Sequence, residues 1–237
     1  MGNPFELLKK IDSNPLIITK NYKTGEKRGL DYMVWRVQRP LIKFYNKIYQ
    51  SFNPGSPWLC ITAIEFFKKY LTQEMIGVEY GSGRSTHFFC EKSKFVVSIE
   101  HHKAWYDLVK RKLDKEGIDN VDYRFVPANA ENEAMEQPVF YKEWNVKTDE
   151  FDNRKIYNNY FNVLNDFEND YFDYILIDGR ARPECLFTSM KHLKSGGLMI
   201  LDNSERERYS IVFDKLNEWK SYTCTSGSTD TTFWVKP

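Results

Sequence analysis

The stretch Gly77–Cys90, GVEYGSGRSTHFFC, decides how the rest of the chain is read. A short apolar run ends in Gly81-Ser82-Gly83, and a helical pattern resumes at Ser85. Glycines between a strand and a helix let the backbone turn sharply and let a ligand approach without a Cβ in the way. The next apolar run, Phe95–Glu100, ends in an acid about twenty residues beyond the glycines, where a ribose would present its hydroxyls. Two features argue against a dinucleotide. Thr86 stands where the third glycine of such a turn belongs, and Glu79, two residues before Gly81, would repel a diphosphate. A cationic amino-acid group would be welcome there.

Outward from this stretch the chain alternates. Short runs rich in Val, Ile, Tyr and Phe predict strands at Ile76–Tyr80, Phe95–Glu100, Val121–Val126, Phe172–Asp178 and Leu198–Asp202. Helical patterns fall at Ser85–Lys92, Lys103–Glu116, Lys155–Phe167, Pro183–Leu193 and Glu207–Trp219. Near-continuous apolar strands joined by helices imply a parallel, doubly wound α/β sheet. The end differs: SYTCTSGSTDTTFWVKP predicts two strands around a Gly-Ser turn, an antiparallel hairpin. A helix is expected over Pro57–Leu71, with Ser56 as its N-cap. Residues 1–56 form an N-terminal, partly helical extension, and about 131–154 is a polar insertion carrying Tyr141 and Trp144.

Composition sets outer limits. A net charge of +1 and a pI near 7.6 give no mandate for nucleic acid or an anionic membrane. The N-terminal stretch lacks a continuous apolar run and no segment reaches membrane-spanning length, so a soluble, cytoplasmic protein is expected. Gly2 invites a myristoyl group, but Pro4 and Glu6 do not suit one. Cys60, Cys90, Cys185 and Cys224 lack metal or redox spacing and read as buried, reduced thiols. The pattern carries no signal for an oligomeric state.

VEYGSG resembles the E/D-x-G-x-G motif of class I S-adenosylmethionine-dependent methyltransferases, and the order of elements is similar to that fold from about Pro57 to Pro237. The resemblance implies a mostly parallel, seven-stranded Rossmann-like sheet closed by the hairpin. It implies that Gly81, Ser82 and Gly83 pass under the methionine part of the cofactor, with Ser85 and Thr86 opening the helix beside it. It places Glu79 near the amino group, Glu100 on the ribose and His101 beside the adenine. VPANAE matches the segment that meets the adenine edge, which makes Asn129 and Ala130 candidates.

Two further strand ends carry acids, Asp178 in FDYILIDGRARPE and Asp202-Asn203 in GGLMILDNSERER. Three hard oxygen ligands converging there suit Mg²⁺. The spacing resembles the metal triad of catechol and magnesium-dependent sugar O-methyltransferases, except that Ala181 replaces the expected lysine. Asp202-Asn203 also suits a helix N-cap. Without a metal, Asp178 becomes the general base, with His87 or His102 as its replacement, while His192 reads as a surface residue. Arg180, Arg182, Arg206 and Arg208 either bind an anionic acceptor or pair with Glu184, Glu205 and Glu207. Tyr32, Trp35, Phe44, Tyr45, Tyr141 and Trp144 could roof the acceptor.

The expectation is an O-methyltransferase that modifies a hydroxyl of a small polar acceptor such as a sugar or glycan residue, with a catechol-like or natural-product phenol as the nearest alternative. Nucleic acid is disfavoured, because strand four ends IDGR and not in an N-P-P-Y-type motif. From other classes, an NAD(P)-dependent oxidoreductase and a non-catalytic cofactor-binding partner subunit remain.

Overall fold

The computed structural model describes residues 3–12, 30–129 and 155–237. Ala130, the insertion with Tyr141 and Trp144, and the side chains of Tyr32 and Trp35 lie outside the described residues.

Seven strands form one sheet: β1 Ile76–Tyr80, β2 Phe95–Glu100, β3 Val121–Phe125, β4 Phe172–Ile177, β5 Leu193–Asp202, β6 Lys220–Thr225 and β7 Asp230–Val235. Their order is β3-β2-β1-β4-β5-β7-β6, with β1 to β5 parallel and β7 antiparallel to both β5 and β6. The doubly wound sheet and the closing hairpin are therefore as the sequence predicts. The order reverses between β1 and β4, and the crevice beyond their carboxyl ends is where such sheets bind ligands.

The period-2 alternation of the strands divides the core between the two faces. Tyr174, Leu176, Leu198 and Ile200 pack on one side with Phe66, Phe67 and Phe89. Ile175, Ile177, Met199 and Leu201 pack on the other with Tyr160, Leu186 and Val212. Gly77 in β1 is required by this packing, because a Cβ there would fall 1.9 Å from the Tyr174 ring. The four cysteines are buried free thiols, and Cys60 and Cys224 face each other with Sγ atoms 2.7 Å apart.

Eight helices accompany the strands among the described residues: α1 Pro4–Ile11, α2 Leu30–Phe52, α3 Ile61–Tyr70, α4 Arg84–Lys92, α5 Lys103–Glu116, α6 Asn158–Phe161, α7 Arg182–Ser189 and α8 Ser210–Lys215. None is long and apolar enough to cross a membrane. The N-terminal segment is tied to the sheet through Asp12, whose carboxylate accepts from Thr62 Oγ1 at 3.2 Å and from the Tyr222 hydroxyl at 2.7 Å.

Several boundaries differ from expectation. The helix predicted to start at Pro57 starts at Ile61, after Cys60. The Ser56 N–H closes a turn on the Asn53 carbonyl, and the Pro57 carbonyl accepts from Gln50 Nε2, so neither group serves a helix. The pattern over Lys155–Phe167 yields a 3₁₀ turn and the short α6, after which the chain runs on in turns closed by the N–H groups of Asn165 and Phe167. The pattern over Glu207–Trp219 begins as a 3₁₀ turn and is α-helical only over α8. Strand β5 begins at Leu193, ahead of the predicted Leu198, since Gly196 and Gly197 pair with the Lys236 backbone.

Candidate active site

At the carboxyl end of β1 the chain turns on Gly81 with φ +95°, a conformation that favours glycine. A Cβ at Gly81 would also lie 2.8 Å from the Gly179 backbone. The turns after β1 and β4 touch, which is one reason for bare backbone here. Gly83 differs. A Cβ there would meet nothing nearer than 3.8 Å, so the protein's own packing does not demand glycine at this position.

Glu79 explains why a carboxylate precedes the glycines. It is fully buried beneath the turn, and its Oε2 accepts from Thr86 Oγ1 at 2.7 Å and Ser98 Oγ at 2.8 Å. Thr86 Oγ1 in turn accepts from the Gly83 N–H at 3.0 Å. The acid and Thr86 thus brace the loop from below, and Oε1 has no hydrogen-bond partner among the described residues. Burial pushes Glu79 up to about 7, against the hydroxyls of Ser85, Thr86 and Ser98. The folded chain then binds a proton that the unfolded chain releases near the ordinary carboxyl value of 4.5. Stability from this group is present below that range and is lost as pH rises to about 7, by roughly 3 kcal/mol. Urea midpoints at pH 5 and pH 8 are expected to diverge by less in Glu79→Gln than in the unmodified chain. Equal divergence would remove Glu79 as the source.

Glu100 ends β2 and is also buried. Its Oε1 accepts from the backbone N–H groups of His101 and His102 at 2.9 and 2.8 Å. Its Oε2 accepts from the Ser82 N–H at 3.2 Å and the Ser82 hydroxyl at 2.9 Å. With the His101 side chain beside it, these donors outweigh burial and hold the carboxyl below its usual range. Ser82 has a second partner, the Tyr123 hydroxyl at 2.7 Å, and the Trp105 indole N–H donates to the Ser82 carbonyl at 2.7 Å. Gly81, Ser82, Glu100, His101, Trp105 and Asp178 line a cavity of about 520 Å³.

Asp178 follows β4, and its Oδ1 accepts from Arg182 Nη2 at 2.8 Å. Arg182 also donates to the carbonyls of Gly179, Asp178 and Asp202. Its Nη1 lies 4.0 Å from Asp202 Oδ2. The Asp202 oxygens are engaged by Thr231 Oγ1 and Asn203 Nδ2, both at 2.8 Å. Burial raises both acids, and the charge of Asp178 drives Asp202 higher still, while Arg182 pulls against the rise. A magnesium ion expected on Asp178, Asp202 and Asn203 does not fit this arrangement. Asp202 has one oxygen taken by Thr231 and the other by the Asn203 amide, and a guanidinium stands within 4.0 Å of both carboxylates. Arg182 supplies the positive charge there, so its expected role on an acceptor is corrected to one of positioning Asp178.

A second cavity of about 300 Å³ shares Gly179, Arg180, Arg182 and Arg206 with the first, and adds Tyr157, Arg208 and Tyr209. Other predicted residues lie elsewhere. His87 Nε2 sits 2.7 Å from Glu116 Oε2 at the far end of α5 and lines neither cavity, so it is removed as a candidate base. His192 is buried, not on the surface, with Nδ1 3.0 Å from the Glu168 carbonyl. Ser85 and Thr86 are buried behind the turn. Asn129 secures the chain at Ile156 and Asn159 and lines neither cavity. Phe44 and Tyr45 are exposed on α2, and Tyr157 and Tyr209 supply the aromatic walls instead. Trp105, Gly179 and Tyr123 were missed. The glycine of IDGR was a readable signal, whereas the contacts of Trp105 and Tyr123 depend on the fold.

The sheet order, the glycine turn after β1 and the acid that ends β2 define the class I methyltransferase fold. One solved structure agrees at the level of fold. A methyltransferase-like protein from Silicibacter pomeroyi is 20% identical over 73% of this chain and 84% of its own, with a TM-score of 0.50. An rRNA methylase from Streptococcus thermophilus is 13% identical over 73% and 92%, with a TM-score of 0.49. A precorrin-6y C5,15-methyltransferase from Geobacter metallireducens is 14% identical over 77% and 93%, with a TM-score of 0.48. No protein-family model matches the chain, and no curated protein does.

Proposed function

We propose that the chain is an S-adenosylmethionine-dependent O-methyltransferase that modifies a hydroxyl of a small polar acceptor such as a sugar derivative. The observation that carries the reading is the first cavity. It is lined by the glycine turn, Glu100 and Asp178, and it shares Gly179, Arg180, Arg182 and Arg206 with the second cavity. The residues suit the cofactor. Gly81 and Ser82 bring the backbone of the turn onto the cavity wall, and Glu100 is a charged acceptor at the end of β2. Ser82 can leave Glu100 to ribose hydroxyls because Tyr123 offers its hydroxyl a second partner. Glu79 lines neither cavity, so its tie to an amino group would run through the turn or through water.

When bound, the cofactor supplies an electrophilic methyl group and leaves as a neutral thioether. Asp178 receives the proton that the acceptor hydroxyl gives up, and Arg182 holds that carboxylate in place. The donors on Glu100 keep it ionised, and Trp105 fixes the Ser82 carbonyl so that the turn keeps its shape. Calorimetric titration with S-adenosylhomocysteine tests the placement. Glu100→Ala is expected to weaken binding about tenfold or more, the loss of a charge-assisted hydrogen-bond acceptor. Unchanged affinity in that variant would contradict it.

A further inference from the structure

The second cavity narrows the acceptor, in an inference that rests on the transferase reading. Its walls carry Arg180, Arg182, Arg206 and Arg208 and no acidic side chain. Arg182 is spent on three carbonyls and Asp178. Among the described residues Arg180, Arg206 and Arg208 meet no carboxylate within 4.0 Å, and the Arg208 guanidinium lies over the Tyr209 ring at 5.0 Å. The glutamates that the sequence offered as partners are placed elsewhere: Glu184 is buried in α7, Glu205 accepts from the Asp230 N–H at 2.9 Å, and Glu207 lines neither cavity.

Arg180, Arg206 and Arg208 gather around one concavity with only the more distant Asp178 charge acting on Arg206, and an anion bound between them offsets their mutual repulsion. Their planar forks match tetrahedral oxyanions in paired hydrogen bonds. The concentration is local, because the whole chain carries only +1. At about 300 Å³ the cavity has the size of a small-molecule subsite. It also shares a wall with the first cavity, so a ligand anchored here would hold its other end toward Asp178. We propose that this cavity is an acceptor subsite for a phosphate group, and that the acceptor is a small, hydroxyl-bearing phosphorylated molecule.

The test is calorimetric titration of the full chain, saturated with S-adenosylhomocysteine, with inorganic phosphate in an otherwise weakly coordinating buffer. One saturable site is expected. Arg208→Gln should weaken phosphate about tenfold or more while leaving S-adenosylhomocysteine affinity within about twofold, since Arg208 lines the second cavity alone. Arg208→Lys should fall between the two, because it keeps charge and loses the fork. Equal phosphate affinity in the Arg208→Gln and unmodified chains, or no saturable site, would overturn the subsite. Acetate binding as tightly as phosphate would overturn the choice of anion. A short single-stranded RNA displacing phosphate with a salt dependence of several charges would overturn the small acceptor in favour of nucleic acid. Saturable, Arg208-dependent phosphate binding in a chain that refuses S-adenosylhomocysteine would leave the subsite standing and remove the transferase reading.

Discussion

Replacement of Arg182 by methionine is expected to cost about 3–5 kcal/mol of stability, the range for breaking a buried ion pair by deleting one partner. The residue is 7% exposed, and its side chain joins the turn after β4 to the end of β5 through the carbonyls of Gly179, Asp178 and Asp202. Methionine fills much of the same volume but leaves three carbonyls without their donor and Asp178 without its counter-charge. The two neighbouring acids then face each other with no cation between them. For a chain of this length the cost corresponds to a fall in Tm of roughly 6–20 °C. Adding Asp178→Asn to the variant should recover part of the loss, because the orphaned charge is removed with its partner. An Arg182→Met chain within about 1 kcal/mol of the original would show that the guanidinium does not organise this site.

Asp178→Asn on its own is expected to lower turnover about a hundredfold or more, the usual contribution of a general base. Affinity for S-adenosylhomocysteine should stay within about threefold. The amide keeps the shape of the side chain and an oxygen for Arg182, but it cannot take a proton. Loss of turnover with retained binding would separate the chemical role of Asp178 from its place on the cavity wall. Full activity would remove it from the mechanism and direct attention to His102, which also lines the first cavity.

The same residues show how far a sequence can be read. Five parallel strands and the closing hairpin follow from apolar runs and turn residues, which are local signals. The glycine turn and Glu100 are likewise local in pattern, and both line the first cavity. Partner choice is not local. Glu79 looked like a group that greets a ligand, yet full burial and two hydroxyls make it a brace under the turn. Asp178, Asp202 and Asn203 looked like a metal shell because hard oxygens at strand ends converge. Arg182, at the start of the following helix, reaches the Asp202 backbone twenty positions on and changes that meaning. Nothing in RARPE distinguishes the buried arginine from its exposed neighbour Arg180, because burial is set by how β4 and β5 align.

We infer that the first cavity receives a nucleoside carrying an amino acid, not a dinucleotide. Calorimetric titration of the full chain with S-adenosylhomocysteine and, separately, with NAD⁺ tests it most directly. One saturable S-adenosylhomocysteine site per chain is expected, with no saturable heat from NAD⁺. Saturable binding of NAD⁺ with none of S-adenosylhomocysteine would contradict it.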